Sequence, residues 1–480
     1  MTAQESKTNV ALLVSPGIGH LIPFLELAHR LVHYHNLQAT LFVVCSSTSA
    51  AESHLLQKSS AVNIVPLRPT VSLDPNANFI DKIKAIMSAS SPLLRRSLSA
   101  AQPLPAALIV DLFGTWALAI AHELGMLGFV FMTTSAWFLS LAMFFPTMDK
   151  QMIDDHVYSH EPLRIPGCSP VRFENTVSVF EEDDYEGFFG IMARELGTAD
   201  GILSNTWQDL EPTTIKALTE IETLTYGKVK GVPIYPIGPL TKCCEPNLES
   251  EVLKWLDRQP DESVIYVSFG SGGTLSEEQI KELAWGLELS QQRFVWVIRP
   301  PVDTDSSGTF FTAGNESGDH KWPPEYLPEG FVNRTKEVGL LVPIWGPQAE
   351  ILSHRSVRGF LTHTGWNSSL ESIVNGVAMV TWPLYAAQKM NAAELTEEVG
   401  VGVRVSEGLV SREEIESKVR KIMAEEDEEG REIRERVKAL KRSGERAAAK
   451  GGSSYNSLAE VAAECDIFRR QTQLRRAAAA

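Results

Sequence analysis

Cysteine is scarce in this 480-residue chain, and the cysteines it has lack the spacings of most cysteine-based sites. There are five, an odd count without any CxxC pair, so neither a disulfide framework nor a cysteine zinc site is favoured. We interpret the adjacent Cys243 and Cys244 as linker thiols. This usage indicates reduced thiols in a cytoplasmic protein.

Positive charge is in deficit as well. The chain has 44 Lys and Arg against 60 Asp and Glu, a formal net charge of −16, and no long basic stripe. A nucleic-acid backbone or an anionic membrane would therefore be approached against an unfavourable field. We expect small-molecule partners and no nucleic acid.

Apolar segments of the targeting type are also lacking. The first residues, MTAQESKTN, have no apolar core of signal-peptide length, so we expect no secretion. The uncharged segment 124–148 has the length of a membrane span, but three consecutive hydroxyl residues and Pro146 interrupt it. We predict a short strand over 129–132, a polar turn and a buried helix, with no stable membrane insertion.

What the chain does contain is a repeated α/β pattern, in which short apolar runs precede small-residue turns and amphipathic helical segments. This pattern is typical of parallel sheets covered by helices. It occurs in two sets on either side of the turn-rich stretch 236–250, and 44% apolar content is ample for two cores. The runs lie at 10–14, 39–44 and 106–110 in the first set, and at 264–269, 294–298, 339–344, 359–363 and 378–382 in the second. We predict two doubly wound α/β domains.

Two stretches in the second half of the chain have compositions that do not indicate a binding or catalytic site. Residues 411–450 alternate in charge, which is typical of a solvated helical surface. Residues 300–330 form a Pro/Gly/Ser-rich loop. The Asp-x-Asp pattern at 302–305 could chelate a metal, but it lies in this loop and not at a strand end, so we predict no required metal.

Polar residues at the carboxyl ends of the predicted strands are the candidates for chemistry, because ligands bind there in doubly wound sheets. His20 follows the first strand at the start of a helix, where the imidazole tends to stay neutral and able to accept a proton. Asp111 ends the run AALIVD and could orient that ring. Alternatively, His20 caps a turn and Asp111 caps the next helix.

A nicotinamide dehydrogenase is the rival enzyme class, and the sequence fits it poorly. SPGIGH gives only G-x-G, with Ile22 at the place of the third small residue. The second strand also ends without the acidic residue that would bind the ribose of NAD.

The second set of strands is followed by groups suited to a nucleotide diphosphate. SFGSGG leaves backbone N–H groups, including that of Ser271, free of side-chain obstruction, although such glycine-rich turns also occur for steric reasons alone. The segment after 359–363 offers polar groups at the start of a helix, and WGPQ offers an aromatic ring and an amide. The residues concerned are His363, Asn367, Ser368, Glu371, Trp345 and Gln348.

The stretch from WGPQAEILSH to GFLTHTGWNSSLESIVNGVAMVTWPLYAAQ, residues 345–388, resembles the signature box of plant family 1 UDP-glycosyltransferases. The motifs SPGIGH, VDLFG, NTWQDLEP, YPIGPL and KWLDRQPDESVIYVSFGSGG also match, so the resemblance spans nearly the whole chain. It is nearest to the branch that glucosylates small phenols such as hydroquinone, with an indoxyl glucosyltransferase as a more specific alternative.

The resemblance implies a GT-B fold, in which two Rossmann-like domains face each other. We expect an acceptor-binding domain over 1–242, a UDP-sugar-binding domain over 243–455, and a helix and tail over 456–480 that pack on the first domain. It also implies a monomeric enzyme that uses UDP-glucose as donor substrate and needs no cofactor.

The same resemblance implies roles for individual residues in an inverting transfer. His20 is the general base, Asp111 orients it, Trp345 stacks on uracil, and Gln348 and Glu371 hold the ribose. Trp382 lies beside the sugar, and Gln388 holds its hydroxyls. The donor-site set is Ser271, Trp345, Gln348, His363, Trp366, Asn367, Ser368, Glu371, Trp382, Ala387 and Gln388.

The acceptor side is less well defined. Ile18, Phe113, Trp137 and Phe138 could form an apolar slot for a flat aromatic molecule. Each could equally be ordinary core.

Four positions depart from the family pattern. Thr364 replaces a common cysteine, while Gly346 and Ala378 replace the usual alanine and proline, which should affect mainly local stiffness. Ala387 stands where the family has Asp or Glu to accept hydrogen bonds from the sugar. It indicates altered or weakened sugar binding, an engineered substitution, or a change without consequence.

Overall fold

The two sets of apolar runs form two separate parallel sheets. The computed structural model describes residues 7–45, 61–74, 77–181, 185–220, 231–242, 250–302 and 324–479, and the structural statements below concern these residues. Tertiary contacts divide the chain into unit 1, which comprises 1–173, 179–240 and 446–480, and unit 2, which comprises 174–178 and 241–445. Cys243, Cys244 and residues 303–305 of the Asp-x-Asp pattern lie outside the described residues.

Unit 1 contains a seven-stranded sheet in the order β3-β2-β1-β4-β5-β6-β7, with every described pairing parallel. The predicted runs became β1, β2 and β4, whereas β3, β6 and β7 were missed because they are short and β3 and β7 contain proline. The strands are β1 Asn9–Val14, β2 Gln38–Val44, β3 Asn63–Leu67, β4 Ala107–Val110, β5 Leu127–Met132, β6 Gly201–Ser204 and β7 Ile234–Pro236.

Helices cover this sheet, and its core includes side chains from the end of the chain. Leu458 and Val461, on the last helix, are buried in the same cluster as β1 and β2. The helices of unit 1 are Ile18–Tyr34, Phe79–Ala100, Ala117–Glu123, Ala136–Phe144, Lys150–Ser159, Gly190–Leu196, Pro212–Glu220 and Ser453–Ala479, and the turn Ser178–Glu181 lies at the unit boundary.

Unit 2 contains a six-stranded parallel sheet in the order β10-β9-β8-β11-β12-β13. All five predicted runs are strands, and β13, three residues long, was missed. The strands are β8 Val264–Ser268, β9 Arg293–Ile298, β10 Gly339–Pro343, β11 Val357–Thr362, β12 Ala378–Thr381 and β13 Gly402–Arg404. The helices are Glu251–Leu256, Glu277–Ser290, Phe331–Thr335, Gln348–Leu352, Trp366–Asn375, Gln388–Ala393, Arg412–Met423 and Glu428–Ala448, the last of which runs on into unit 1. The last two confirm the predicted helical surface.

The uncharged segment 124–148 is part of the core of unit 1, as predicted. Strand β5 leads through a polar turn into the helix Ala136–Phe144, of which every residue except the half-buried Phe144 is buried. Within the described residues, no helix has both the length and the apolarity needed to cross a bilayer.

Glu211, in the motif NTWQDLEP, caps the N-terminus of the buried helix Ala136–Phe144. Glu211 is 3% exposed, and its Oε1 accepts hydrogen bonds from the backbone N–H groups of Ala136, at 2.6 Å, and Trp137, at 3.2 Å. The first N–H groups of a helix have no partner within the helix, and a negative charge there is favourable. The glutamate therefore replaces the water that these buried groups cannot reach.

Replacing Glu211 by alanine should destabilise unit 1. Two buried N–H groups lose a charged acceptor, which we expect to cost about 2–4 kcal/mol. The measurement is the thermal unfolding transition by calorimetry, with Glu211→Gln, which keeps an acceptor oxygen, as the control of smaller effect. An unchanged transition in Glu211→Ala would contradict this role.

Candidate functional site

Strands β1 and β4 bring His20 and Asp111 together. They are neighbours at the centre of the sheet, where the strand order reverses, and residues after two adjacent parallel strands meet at the same edge. His20 is the third residue of the helix Ile18–Tyr34, which follows β1 through a turn at Gly17. The φ of 113° at Gly17 lies in the region that favours glycine. Asp111 follows directly on β4.

The histidine Nδ1 lies 3.0 Å from Oδ2 of Asp111. Nδ1 makes no aligned hydrogen bond to that oxygen, so a small rotation of the ring is required for one to form. The His20 side chain is 17% exposed, whereas Asp111 is fully buried. The ring can thus meet a solute while its partner cannot.

Three donors hold the Asp111 carboxylate in place. The backbone N–H of Ser15 donates to Oδ2 at 3.0 Å, its hydroxyl makes a short hydrogen bond to the same atom, and the N–H of Phe113 donates to Oδ1 at 3.1 Å. The sequence analysis missed Ser15, although its place directly after β1 was a usable signal. These bonds fix the orientation of the carboxyl group beside His20.

The four acceptor candidates do not all lie together. The ring of Phe113 is 5.4 Å from that of His20 and stacks at 4.9 Å on Phe188, a residue that the sequence analysis missed. Ile18 begins the His20 helix and is buried. Trp137 and Phe138 are buried on the helix Ala136–Phe144, where Phe138 packs edge-on against Phe189 at 5.8 Å. Phe113 is therefore the candidate that the structure places against His20.

In unit 2, the sheet reverses between β8 and β11, and His363 follows β11 directly. Two glycines enclose its ring. A Cβ at Gly270 would stand 2.4 Å from Cε1 of His363, and one at Gly365 would stand 2.5 Å from Nε2. Both positions therefore require glycine, which explains why SFGSGG and HTG share this residue type.

Burial determines the charge of His363. Loss of solvent lowers the pKa of this imidazole to about 4, with a smaller contribution from the positive charge of Arg299. The ring is thus neutral at pH 7 and offers an N–H without carrying charge. Arg299 follows β9 and donates from Nε to the carbonyl of Ile344 at 3.1 Å. The sequence analysis missed this cation, although it stands directly after a recognised strand.

Gln348, Ser368 and Glu371 form one hydrogen-bonded cluster between two helices. The Nε2 group of Gln348 donates to Oε2 of Glu371 at 2.7 Å and to the hydroxyl of Ser368 at 2.9 Å. Burial raises the pKa of Glu371 to about 7, against the opposing effects of the Gln348 hydrogen bond and the Lys242 charge. The predicted ribose-binding pair is thus preassembled, with a carboxyl that titrates near neutrality.

Trp345 lies at the carboxyl end of β10 with 41% of its surface exposed, which is unusual for a tryptophan. The preceding Ile344 has φ 61°, and this left-handed turn directs the chain out of the strand. At Gly346 a Cβ would meet Cγ2 of Val297 at 3.1 Å, so the usual alanine would require a small shift. An exposed aromatic face beside the Gln348 helix suits stacking on a flat base.

The remaining donor candidates lie on the same edge of the sheet. Ser271 is half-buried in the loop after β8, and Trp366 and Asn367 are the first residues of the helix Trp366–Asn375. Trp382, 5% exposed, follows β12 and packs edge-on against Phe269 at 5.7 Å.

The segment 383–388 is held by Gln388 itself. Its Oε1 accepts from the N–H groups of Leu384, at 2.8 Å, and Tyr385, at 3.1 Å, and its carbonyl accepts from the hydroxyl of Thr364 at 3.0 Å. The threonine that replaces the common cysteine thus fixes this loop. Ala387 is half-buried at the N-cap of the helix Gln388–Ala393 and provides no side-chain cap.

Comparison with known proteins shows which family the chain resembles over nearly its whole length. A family model described as UDP-glucoronosyl and UDP-glucosyl transferase matches residues 232–432. UDP-glycosyltransferase 72E1 of Arabidopsis thaliana is 47% identical over 476 residues, covering 96% of this chain and 97% of that protein. The hydroquinone glucosyltransferase of Rauvolfia serpentina is 42% identical, covering 95% and 98%.

Among solved structures, one similar protein is a UDP-glucosyltransferase from Polygonum tinctorium capable of glucosylating indoxyl, in complex with 3,4-dichloroaniline. It matches with a TM-score of 0.85 and 37% identity, covering 96% of this chain and 99% of that one. Together with the two doubly wound sheets, this likeness confirms the predicted GT-B fold class.

The raised pKa of Glu371 leads to a prediction of how donor binding depends on pH. Its pKa of about 7 is raised, so it ionises above neutral pH, and its predicted role as acceptor for the ribose hydroxyls favours the ionised carboxylate, in which both oxygens only accept. The affinity for UDP-glucose should therefore fall below pH 7, approaching tenfold per pH unit. Titration calorimetry from pH 5.5 to 8.5 measures this, because the diphosphate diester of UDP-glucose does not titrate in that range.

Glu371→Gln is the matched control for this dependence, since it keeps the shape and loses the charge. It should bind more weakly at pH 8.5 and show a flat profile. An equal slope in wild type and Glu371→Gln would assign the titration to another group.

Proposed function

Because the chain belongs to the plant UDP-glycosyltransferase family, we propose that it transfers glucose from UDP-glucose to a hydroxyl of a small aromatic acceptor with inversion, giving a β-glucoside. Members of this family use a UDP-sugar as donor. The observation that carries the proposal is the contact between His20 and the buried Asp111 at the strand-order reversal of unit 1.

His20 takes the acceptor proton in this proposal. Its ring is partly exposed on one side, and Asp111 stabilises the imidazolium that forms. As the proton leaves, the acceptor oxygen attacks the anomeric carbon and the bond from that carbon to the diphosphate breaks. Attack opposite to the leaving group converts the α-linked donor into a β-product.

Unit 2 binds and stabilises the UDP that leaves. Neutral N–H and hydroxyl groups of His363, Ser368 and Ser271 donate to the diphosphate, and the amino end of the helix Trp366–Asn375 adds a favourable field. Arg299 supplies a full positive charge that acts on His363. These groups support donor binding without a metal, which remains a prediction.

The acceptor proposed is a flat phenol or indoxyl. Phe113 and Phe188 form an aromatic surface beside His20. The names of the relatives that act on hydroquinone and indoxyl support the same class of molecule. Action as a cytoplasmic monomer, with domains over 1–242 and 243–455, is part of the proposal.

A second candidate function rests on Ala387. A methyl group cannot accept hydrogen bonds from sugar hydroxyls, and each such bond to a charged acceptor is worth roughly 1.5–3 kcal/mol. The chain would then bind UDP or a UDP-sugar but transfer the sugar weakly or use a sugar other than glucose.

A panel of UDP-sugars against hydroquinone, other small phenols and indoxyl, with products identified by mass, tests the main proposal. We expect glucosides from UDP-glucose, and His20→Ala should reduce kcat by about 10²–10⁴-fold because the general base is lost. Asp111→Asn should show a smaller loss.

The control for this experiment is donor binding. UDP-glucose affinity should be unchanged in His20→Ala, because the donor-binding groups lie on unit 2. Undiminished turnover in His20→Ala would refute the mechanism, whereas binding without turnover in the wild type would favour the second candidate.

Restoring a carboxylate at position 387 should improve use of the donor. Ala387→Glu and Ala387→Asp regain an acceptor for sugar hydroxyls, and we expect kcat/KM for UDP-glucose to rise about tenfold. Asp also favours the N-cap of the helix Gln388–Ala393, so Ala387→Asn separates the two effects, since it caps without charge. If Asn matches Asp, or if neither UDP-glucose nor UDP-galactose gains, position 387 does not govern the sugar.

A further inference from the structure

A charged pair, Lys242 and Glu350, lies next to the cluster of Gln348, Ser368 and Glu371 in unit 2. The Nζ group of Lys242 is 3.2 Å from Oε1 of Glu350, whose side chain is only 9% exposed. Glu350 lies in the first turn of the short helix that begins with Gln348. Its other oxygen, Oε2, is buried without a hydrogen-bond partner among the described residues. A buried carboxylate with a single cationic partner is costly unless the charge has another use.

Both members of this pair act electrostatically on Glu371. The Lys242 charge favours the ionised form of Glu371, and the Glu350 charge disfavours it, so each moves the pKa of Glu371 in the opposite direction. Gln348 connects the pair to Glu371, because its amide donates a hydrogen bond to Glu371 and its helix also contains Glu350.

The other groups around Glu371 do not titrate near neutral pH. Tyr266 on β8 is fully buried, which raises its pKa far above that range. His363, after β11, is neutral at pH 7. Strand β12 contributes no titratable side chain, and Glu371 is the one ionisable residue of its own helix. Lys242 and Glu350 are therefore the neighbouring charges that remain.

We propose that Lys242 and Glu350 are positioning residues that set the pH range in which Glu371 binds the ribose of the donor. This inference rests on the proposed function, since it presupposes a UDP-sugar in unit 2. Lys242 lies in the turn-rich stretch 236–250 and not on a strand or helix, so the charge that favours the ionised form of Glu371 comes from a loop.

Removing each of the two charges should shift the pH midpoint of UDP-glucose binding in opposite directions. A purely structural role of the pair would not produce opposite shifts. In Lys242→Met, Glu371 loses its stabilising cation, and the midpoint of the pH dependence of UDP-glucose binding should rise by about half a unit or more. In Glu350→Gln, the repelling carboxylate is gone, and the midpoint should fall by a similar amount. Lys242→Arg keeps the charge and should behave as the wild type.

The experiment is titration calorimetry of the full-length chain with UDP-glucose, without acceptor, from pH 5.5 to 8.5. At pH 6 the dissociation constant of Lys242→Met should be about threefold weaker than that of the wild type, and that of Glu350→Gln about threefold tighter. At pH 8.5 all variants should converge, because Glu371 is then ionised in each. Thermal melting of each variant verifies that it is folded.

Shifts of the same sign, or a Lys242→Arg variant that shifts like Lys242→Met, would overturn the inference. If Glu350→Gln does not fold, the comparison of Lys242→Met with Lys242→Arg decides alone. Normal binding at pH 8.5 with an unmoved midpoint refutes this inference and leaves the proposed function intact. Absence of UDP-glucose binding at every pH refutes both.

Discussion

The carboxylate of Asp111 is fully buried, and a charge in that position is tolerated only if its lone pairs are met. The ends of β1 and β4 meet this requirement, because Ser15 and Phe113 direct donors at the two oxygens and His20 approaches from the following helix. The pairing of the two strands, the turn at Gly17 and the position of His20 thus bring these groups around one buried carboxylate.

Unit 2 also buries ionisable side chains, but there burial disfavours their charged forms. Burial holds His363 neutral and leaves Glu371 close to half-ionised at pH 7, since desolvation disfavours the charged form of each group. Few groups of the predicted donor site are therefore fully charged, and the cations near it are Arg299 beside His363 and Lys242 beside Glu371. Such a site suits a ligand that carries its own negative charge and hydroxyl donors, because few protein charges must be desolvated again on binding.

Strands with unbroken apolar runs were predicted from the sequence, and β3, β6, β7 and β13 were not, because three to five residues carry too little pattern to separate from loops. The reasoning from strand ends found His20 and His363. It missed Arg299, which occupies the same kind of position, since a lone arginine after a strand also fits a solvated surface. Phe188 could not be found at all, because it meets Phe113 only through folding of a segment distant in the chain.

The sequence by itself determined the two doubly wound units, the strand ends that carry polar groups, and the family, since these depend on local apolar pattern and on residue types at fixed spacing. Tertiary structure decided which of those groups meet and in what charge state. The hydrogen bonds between Ser15 and Asp111 join two different strands. Burial moves the pKa values of His363 and Glu371 away from those of exposed residues. Neither effect is set by neighbours in the chain. Both arise from residues far apart in sequence that exclude water together.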